Sequence, residues 1–409
     1  MTLDTILVAR VDADHPAAVE FLRELIRIPS DNPPGDCARH GEVAATLLER
    51  LGFTVERHSV PAALAAAAGM ASVTNLVVRH RFGAGPVIAL NAHGDVVPPG
   101  TGWTQDPYGG AIVDGAMYGR GVAVSKSDVA TYAFALKALI DAGAPLAGTV
   151  ELHFTYDEES GGVLGPKWLL DERICRPDFV ICAGFAYGIV TAHNGALHLE
   201  VTVRGRQAHA AMPGTGVDAL EAATGVLAAL YAVRRTYVAT VSAVAGIGSP
   251  QLNVGLIEGG INTNVVPDRV AFRLDRRIIP EERGATVEAE LRAIVERAMA
   301  AYPAATAEVR RIMLAEPLIP IAGCEKLVAP LSRIGAEEMG EPVTPHGVPL
   351  YTDARHYAAA GIPTVIYGAG PHDILEANAH NADEHLRLDD LRRATRVVAR
   401  TLAEVLRPA

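Results

Sequence analysis

The sequence predicts an α/β protein: a mostly parallel sheet flanked by helices, interrupted by an inserted α+β domain. Three observations carry this. Short apolar runs alternate with amphipathic stretches along the first 190 or so residues, the pattern of strands buried on both faces by crossover helices. From Asn194 the runs become alternating, with helical stretches between them in β-α-β-β-α-β order. After Arg311 the first pattern returns. The expected division is 1–193 and 312–409 for a two-segment catalytic domain and 194–311 for the insertion. A chain of 409 residues is long enough for two cores.

The elements follow in order. His15–Arg27 places Val19, Phe21, Leu22, Leu25 and Ile26 on one helical face, Pro29–Gly35 breaks it, and His40–Leu51 is a second helix ended by Gly52. Thr74–Val78, Val87–Leu90, Thr149–Thr155 and Phe179–Cys182 read as buried strands, and Asp128–Ala142 as a helix between two of them. In the insertion, Leu197–Val203, Gln251–Ile257 and Val270–Arg276 read as strands, Pro213–Arg234 and Thr286–Tyr302 as helices. Pro363–Tyr367 is a last strand and Asp389–Leu406 a last helix. Ala62–Met70 is an alanine-rich helix or loop too short to span a membrane.

Composition excludes several classes. Net charge is -11 and no basic-aromatic stripe occurs, which argues against nucleic acid as a partner. No apolar run reaches membrane-spanning length, and the acidic start MTLDTILVARVDADHP lacks a signal-peptide pattern. Cys37, Cys175, Cys182 and Cys324 show no C-x-x-C spacing and read as free thiols of a cytoplasmic protein.

The chemistry-bearing residues gather where parallel strands end. His93 and Asp95 follow one strand, and a histidine two residues from an aspartate can present one ring nitrogen to a metal while the other is held. Glu158 and Glu159 follow another. Adjacent carboxylates at a strand end point different ways, so one can bind metal while the other accepts a proton. His380 lies in Asn378-Ala-His-Asn-Ala-Asp-Glu-His385. Taken singly, each fragment is better read as a loop histidine or a solvated acidic turn.

The order of the whole changes that reading. Gly100-x-Gly-Trp103, Asp106-Pro107, Asp114-Gly115-x-x-Tyr118-Gly119-Arg120-Gly121, Gly205-x-x-Ala-His209, Gly259-Gly260-Ile-Asn-Thr-Asn264-Val-Val-Pro267, Asp275-Arg-Arg277-x-x-Pro280, Thr352-Asp353-Ala354 and Gly361-Ile-Pro363 stand between those elements. The pattern resembles the family of acetylornithine deacetylase, succinyl-diaminopimelate desuccinylase, aminoacylase and carboxypeptidase G, over nearly the whole chain. The resemblance implies a cocatalytic metal fold whose small lid usually also dimerises. It implies His93, Glu159 and His380 as metal ligands, Asp95 as partner of His93, and Glu158 as general base. It implies His209 as the lid histidine that polarises the scissile carbonyl across a dimer, and Asn264 and Arg277 as lid residues near the substrate.

The chain departs from that pattern in three places. Where the family reads G-R-G-x-x-D-x-K-G, with the aspartate bridging two metals, Gly119-Arg-Gly-Val-Ala-Val124-Ser-Lys126-Ser-Asp128 puts valine. Where a glutamate usually stands, Ile181-Cys-Ala-Gly-Phe185 puts phenylalanine. Where an arginine often precedes a proline after the lid, Glu316 precedes Pro317. The remaining two-histidine, one-carboxylate set suits a single, weakly held divalent transition metal (zinc, manganese or cobalt). The expected activity is hydrolysis of a non-peptide C–N bond in a small molecule by a homodimer or larger homo-oligomer. An amide and an activated arylamine, as in 5-nitroanthranilate aminohydrolase, both fit. An ordinary dinuclear deacylase and a catalytically silent binding protein on the same scaffold are the alternatives.

Overall fold

The computed structural model describes residues 2–143, 145–372 and 375–408. The chain forms two compact units: residues 1–191, 320–346 and 352–409 make one, and residues 192–319 and 347–351 the other.

An eight-stranded sheet runs in the order Val55–Ser59, Thr74–Arg81, Thr149–Thr155, Val87–His93, Phe179–Cys182, Thr364–Ile366, Ile189–His193, Pro345–Val348. Its four central strands, from Thr149–Thr155 to Thr364–Ile366, are parallel. Thr74–Arg81 and Val55–Ser59 extend it antiparallel on one side. Ile88, Leu90, Val150, Leu152, Ile181 and Val365 are all buried, as a parallel sheet covered on both faces requires. The helix Lys126–Asp141 is buried on nearly every face, including Asp128, the third residue of its first turn.

The first helix spans Leu3–Ile26, twelve residues longer at its start than the apolar pattern from His15 implies. Leu7 and Val11 extend its buried stripe upstream, and Thr2 caps it through the Thr5 amide. Pro213–Arg234 is not one helix. Pro213–Thr215 is a single 3-10 turn, and the helix Ala219–Arg234 starts after Asp218, which caps the amides of Leu220 and Glu221.

The second unit is a four-stranded antiparallel sheet in the order Gln251–Gly259, Arg269–Ile278, Gly195–Arg204, Thr306–Ala315, with helices Ala219–Arg234 and Gly284–Met299. Leu197, Leu199, Val201, Val203, Phe272, Leu274, Val226 and Leu291 form its core. The unit extends beyond residue 311, because Thr306–Ala315 pairs along its length with Gly195–Arg204, down to Ala315 opposite Ala196. Glu316 accepts the Gly284 amide at 3.0 Å, at the start of helix Gly284–Met299, where a carboxylate complements the helix dipole.

Candidate metal centre

The site forms at the carboxyl ends of the parallel strands, where loops from neighbouring strands converge. His93 is the last residue of its strand, and Thr155 beside it leads directly into Asp157 and the 3-10 turn Glu158–Ser160. Gly94 separates His93 from Asp95, and a Cβ there would stand 2.3 Å from the Tyr156 ring, so the position accepts only glycine.

The His93 Nδ1 lies 3.0 Å from the backbone carbonyl of Asp95 and 3.4 Å from its carboxylate Oδ1. The carbonyl is the nearer acceptor, and the Asp95 carboxylate stands within ion-pair reach of the same nitrogen. The carboxylate also accepts the Glu158 amide at 3.3 Å, the Glu159 amide at 3.2 Å and the Asn32 Nδ2 at 3.0 Å. A donor proton on Nδ1 leaves the His93 Nε2 lone pair available to a metal. Nε2 is 4.0 Å from Glu158 Oε2.

His93, Glu158 and Glu159 each offer a ligand atom within 4.8 Å of the others, the one such group of three among the described residues. Burial alone would lower the His93 pKa, but Asp95, Glu158 and Glu159 outweigh it and hold the ring well above its ordinary value. Burial pushes Glu158 up to about 8; His93 and Arg355 oppose this, while Glu159 and Asp95 add to it. Crowded carboxylates that force a neighbouring imidazole to keep its proton are a donor set short of a cation. Imidazole and carboxylate donors fit a divalent transition ion, and His380 lies outside this group of three.

His380 stands beside this group, with Nε2 3.4 Å from Glu159 Oε1 and its side chain 62% exposed. Its backbone is left-handed, at φ 63°. The loop that carries it is fastened by Glu384, whose carboxylate takes Arg120 Nη1 at 2.6 Å and the Ala123 amide at 3.1 Å. Arg120 and Glu384 are both essentially buried. Thus two residues that sequence reasoning left without a role tie the His380 loop to the Gly119–Val124 segment.

Val124 is half-buried. The next residue, Ser125, accepts the His93 amide on its Oγ at 3.0 Å. Asp128 lies deeper. Its Oδ1 accepts the Ala369 amide at 2.7 Å, and its Oδ2 is buried without a hydrogen-bond partner. Phe185 is nearly buried and pairs by its backbone with Gly370. Neither Val124 nor Phe185 supplies a ligand atom.

The three insertion residues lie in the second unit. His209 is exposed and bridges antiparallel to Val265, and the next residue, Ala210, donates its amide to the Asn264 carbonyl at 3.0 Å. His209 and Asn264 are therefore neighbours. The Arg277 guanidinium pairs with Asp275 at 3.0 Å and lies 5.9 Å from the Tyr351 ring centroid. Sequence reasoning missed Asn32, Ser125, Arg355 and His356. Only the turn-rich Pro29–Gly35 stretch hinted at the first of them.

Comparison with known proteins adds to this geometry. Residues 89–404 match the profile of peptidase family M20/M25/M40. The chain is 29% identical over 403 residues to a succinyl-diaminopimelate desuccinylase of Acidiphilium cryptum, covering 95% of this chain and 98% of the relative. Its fold resembles that of human carnosine dipeptidase 1 with a TM-score of 0.78 at 18% identity, covering 99% of both chains. A dinuclear metal-binding peptidase of Bacillus subtilis aligns with a TM-score of 0.68 at 18% identity, over 97% of this chain and 99% of that one.

Proposed function

The chain belongs to peptidase family M20/M25/M40, and on that premise we propose that it is a metal-dependent hydrolase of N-acylated amino acids with a single divalent ion per chain. His93, Glu159 and His380 would hold the ion, with Glu158 alongside as general base. A divalent ion held there supplies Lewis acidity that acidifies water and polarises a carbonyl. Glu158 takes a proton from the attacking water and returns it to the leaving nitrogen. The water oxygen joins the acyl carbon, the C–N bond breaks, and the amine departs with the proton. Asp95 fixes both carboxylate-bearing residues through their amides. By the family resemblance, His209 of a second copy would polarise the carbonyl, and Asn264 and Arg277 are the insertion residues assigned to substrate.

The observation that carries this reading is the convergence of Glu158 Oε2 and His93 Nε2, 4.0 Å apart, in one group with Glu159. Succinylated diamino acids are the first class to test, since the relatives named for that activity match across the chain's length. The Glu316 position supports a grip on substrate other than by an arginine there, because Glu316 is committed to the helix start.

Self-association is part of the proposal. The strand Gln251–Gly259 is an edge of its sheet, with Leu256 and Ile257 exposed, and an unpaired apolar edge invites a second copy. A cytoplasmic setting accords with four buried free thiols. No helix among the described residues is long and apolar enough to cross a membrane.

The test is amine release from a panel of N-succinyl and N-acetyl amino acids and aminobenzoates by protein loaded with zinc, manganese or cobalt. Hydrolysis of an N-acyl amino acid, lost in Glu158→Gln, supports the proposal. Metal uptake without turnover on any panel member overturns it in favour of a binding protein.

A further inference from the structure

The turn that carries Glu158 and Glu159 is pinned at its start by Asp95, which takes both residues' amides. Its far end is left-handed at two successive glycines, Gly161 at φ 116° and Gly162 at φ 67°. Such a segment has little stiffness of its own and needs an external fastening. The fastening is the segment Asp353–His356, at the start of the short helix Ala354–Ala359. The Gly161 carbonyl accepts from Arg355 Nη2 and from His356 Nε2, the latter at 3.0 Å, so two donors converge on one oxygen. Arg355 Nη1 also donates to the Thr352 carbonyl at 3.0 Å, which fixes the guanidinium plane. The fit is close: a Cβ on Gly162 would lie 2.0 Å from Asp353 Oδ1 and 2.8 Å from His356 Nε2.

We propose that Arg355 and His356 are positioning residues, which set the metal affinity and proton transfer of the Glu158–Glu159 turn through the Gly161 carbonyl. The inference rests on the roles proposed for Glu158 and Glu159. Arg355 is 6% exposed, and it is also a fixed positive charge acting on Glu158 and Asp353. Burial and the Arg355 charge lower His356 to about 3, so its ring is neutral and can serve as a plain N–H donor. The two residues therefore differ in what they supply. His356 contributes a hydrogen bond, whereas Arg355 contributes a hydrogen bond and a charge.

The experiment compares the full chain with Arg355→Met, Arg355→Lys, His356→Leu and His356→Gln. Manganese affinity is read by calorimetry, and amide hydrogen exchange across residues 158–162 is read in metal-free protein. Arg355→Met and His356→Leu are expected to weaken manganese binding by about tenfold or more, the usual effect of removing a residue that orients ligands. Both should speed exchange in the turn while the melting temperature changes little. Glutamine at 356 keeps a neutral donor at similar reach, and lysine at 355 keeps the charge. Both should recover affinity to within about threefold of wild type, a difference of under 1 kcal/mol. If Arg355→Met does not fold, His356→Leu and its glutamine partner decide alone. Wild-type affinity and exchange in His356→Leu would overturn the proposal. Neither measurement uses a substrate, so a protein that hydrolyses nothing on the panel would still test it.

Discussion

The carboxylate of Asp95 accepts the backbone amide of Glu159 at 3.2 Å, with the Glu158 amide on its other oxygen at 3.3 Å. One buried side chain thereby sets the direction of two carboxylates more than sixty residues away in sequence. Replacing it should disturb the centre without touching any proposed ligand. Asp95→Asn is expected to lower metal affinity about 10- to 100-fold, the range for residues that orient ligands. Calorimetric titration of the variant with manganese checks this, and unchanged affinity would contradict it.

Glu158 and Glu159 should separate on mutation. Glu158→Gln is expected to cost about two to four decades in turnover, the contribution of a positioned proton acceptor, with metal binding largely kept. Glu159→Ala and His380→Ala should lower metal affinity and turnover together. Steady-state rates and metal titrations on the three variants distinguish the roles. Near-normal turnover in Glu158→Gln would remove it as the base.

Val124→Asp should raise the metal content toward two ions per chain. Residue 124 directly precedes Ser125, whose Oγ accepts the His93 amide, so a carboxylate there is introduced next in the chain to a residue that holds the ligand group. Activity on the native substrate should not improve, because a second ion would occupy space and redistribute charge at the reacting centre. Metal analysis and rates on the same preparation test both halves. A variant that gains an ion and becomes faster would mark the valine as a defect.

Asp128 makes stability depend on pH with a sign opposite to that of a salt-bridged carboxylate. Burial pushes it up to about 7, against the amides of Ala369 and Gly184 and the charge of His93. Between about pH 4 and pH 7 the folded chain keeps a proton that the unfolded chain has lost, so metal-free protein loses stability as pH rises through this window. Asp128→Asn removes this term and keeps an acceptor for the Ala369 amide. Its stability relative to wild type should climb by up to a few kcal/mol from pH 4 to pH 7 and then level off. Denaturant unfolding at four pH values measures it. A constant difference across the range would contradict the assignment.

Much of this architecture was legible in the sequence, and the reasons are physical. Parallel strands buried on both faces leave continuous apolar runs, so Val87–Leu90 and Thr149–Thr155 stood out, and residues just past such strands fall at the functional edge of the sheet. His93, Glu158 and Glu159 could be grouped on that ground. The β-α-β-β-α-β order of the insertion was equally visible, because alternation and helical periodicity differ in every element. What stayed hidden depends on chain closure over long separations. Nothing local to Asn32 indicates that its amide reaches Asp95, and nothing near His356 indicates that its ring meets Gly161. The end of the insertion was misplaced because Ile312–Ala315 is apolar enough to suit either domain, and only its pairing with Gly195–Arg204 decides. His93 pointed to Asp95 in sequence, yet the backbone carbonyl and not the carboxylate is its nearer acceptor.

The central claim is a hydrolytic centre built on one metal ion, and the stoichiometry of binding tests it most directly. Metal-free protein titrated with zinc or manganese in a calorimeter should take up one ion per chain, with modest affinity, because Val124 and Phe185 bring no ligand atoms to the site. Uptake should fall when His93, Glu159 or His380 is replaced by alanine. Two tight sites per chain, or binding that survives all three substitutions, would contradict it.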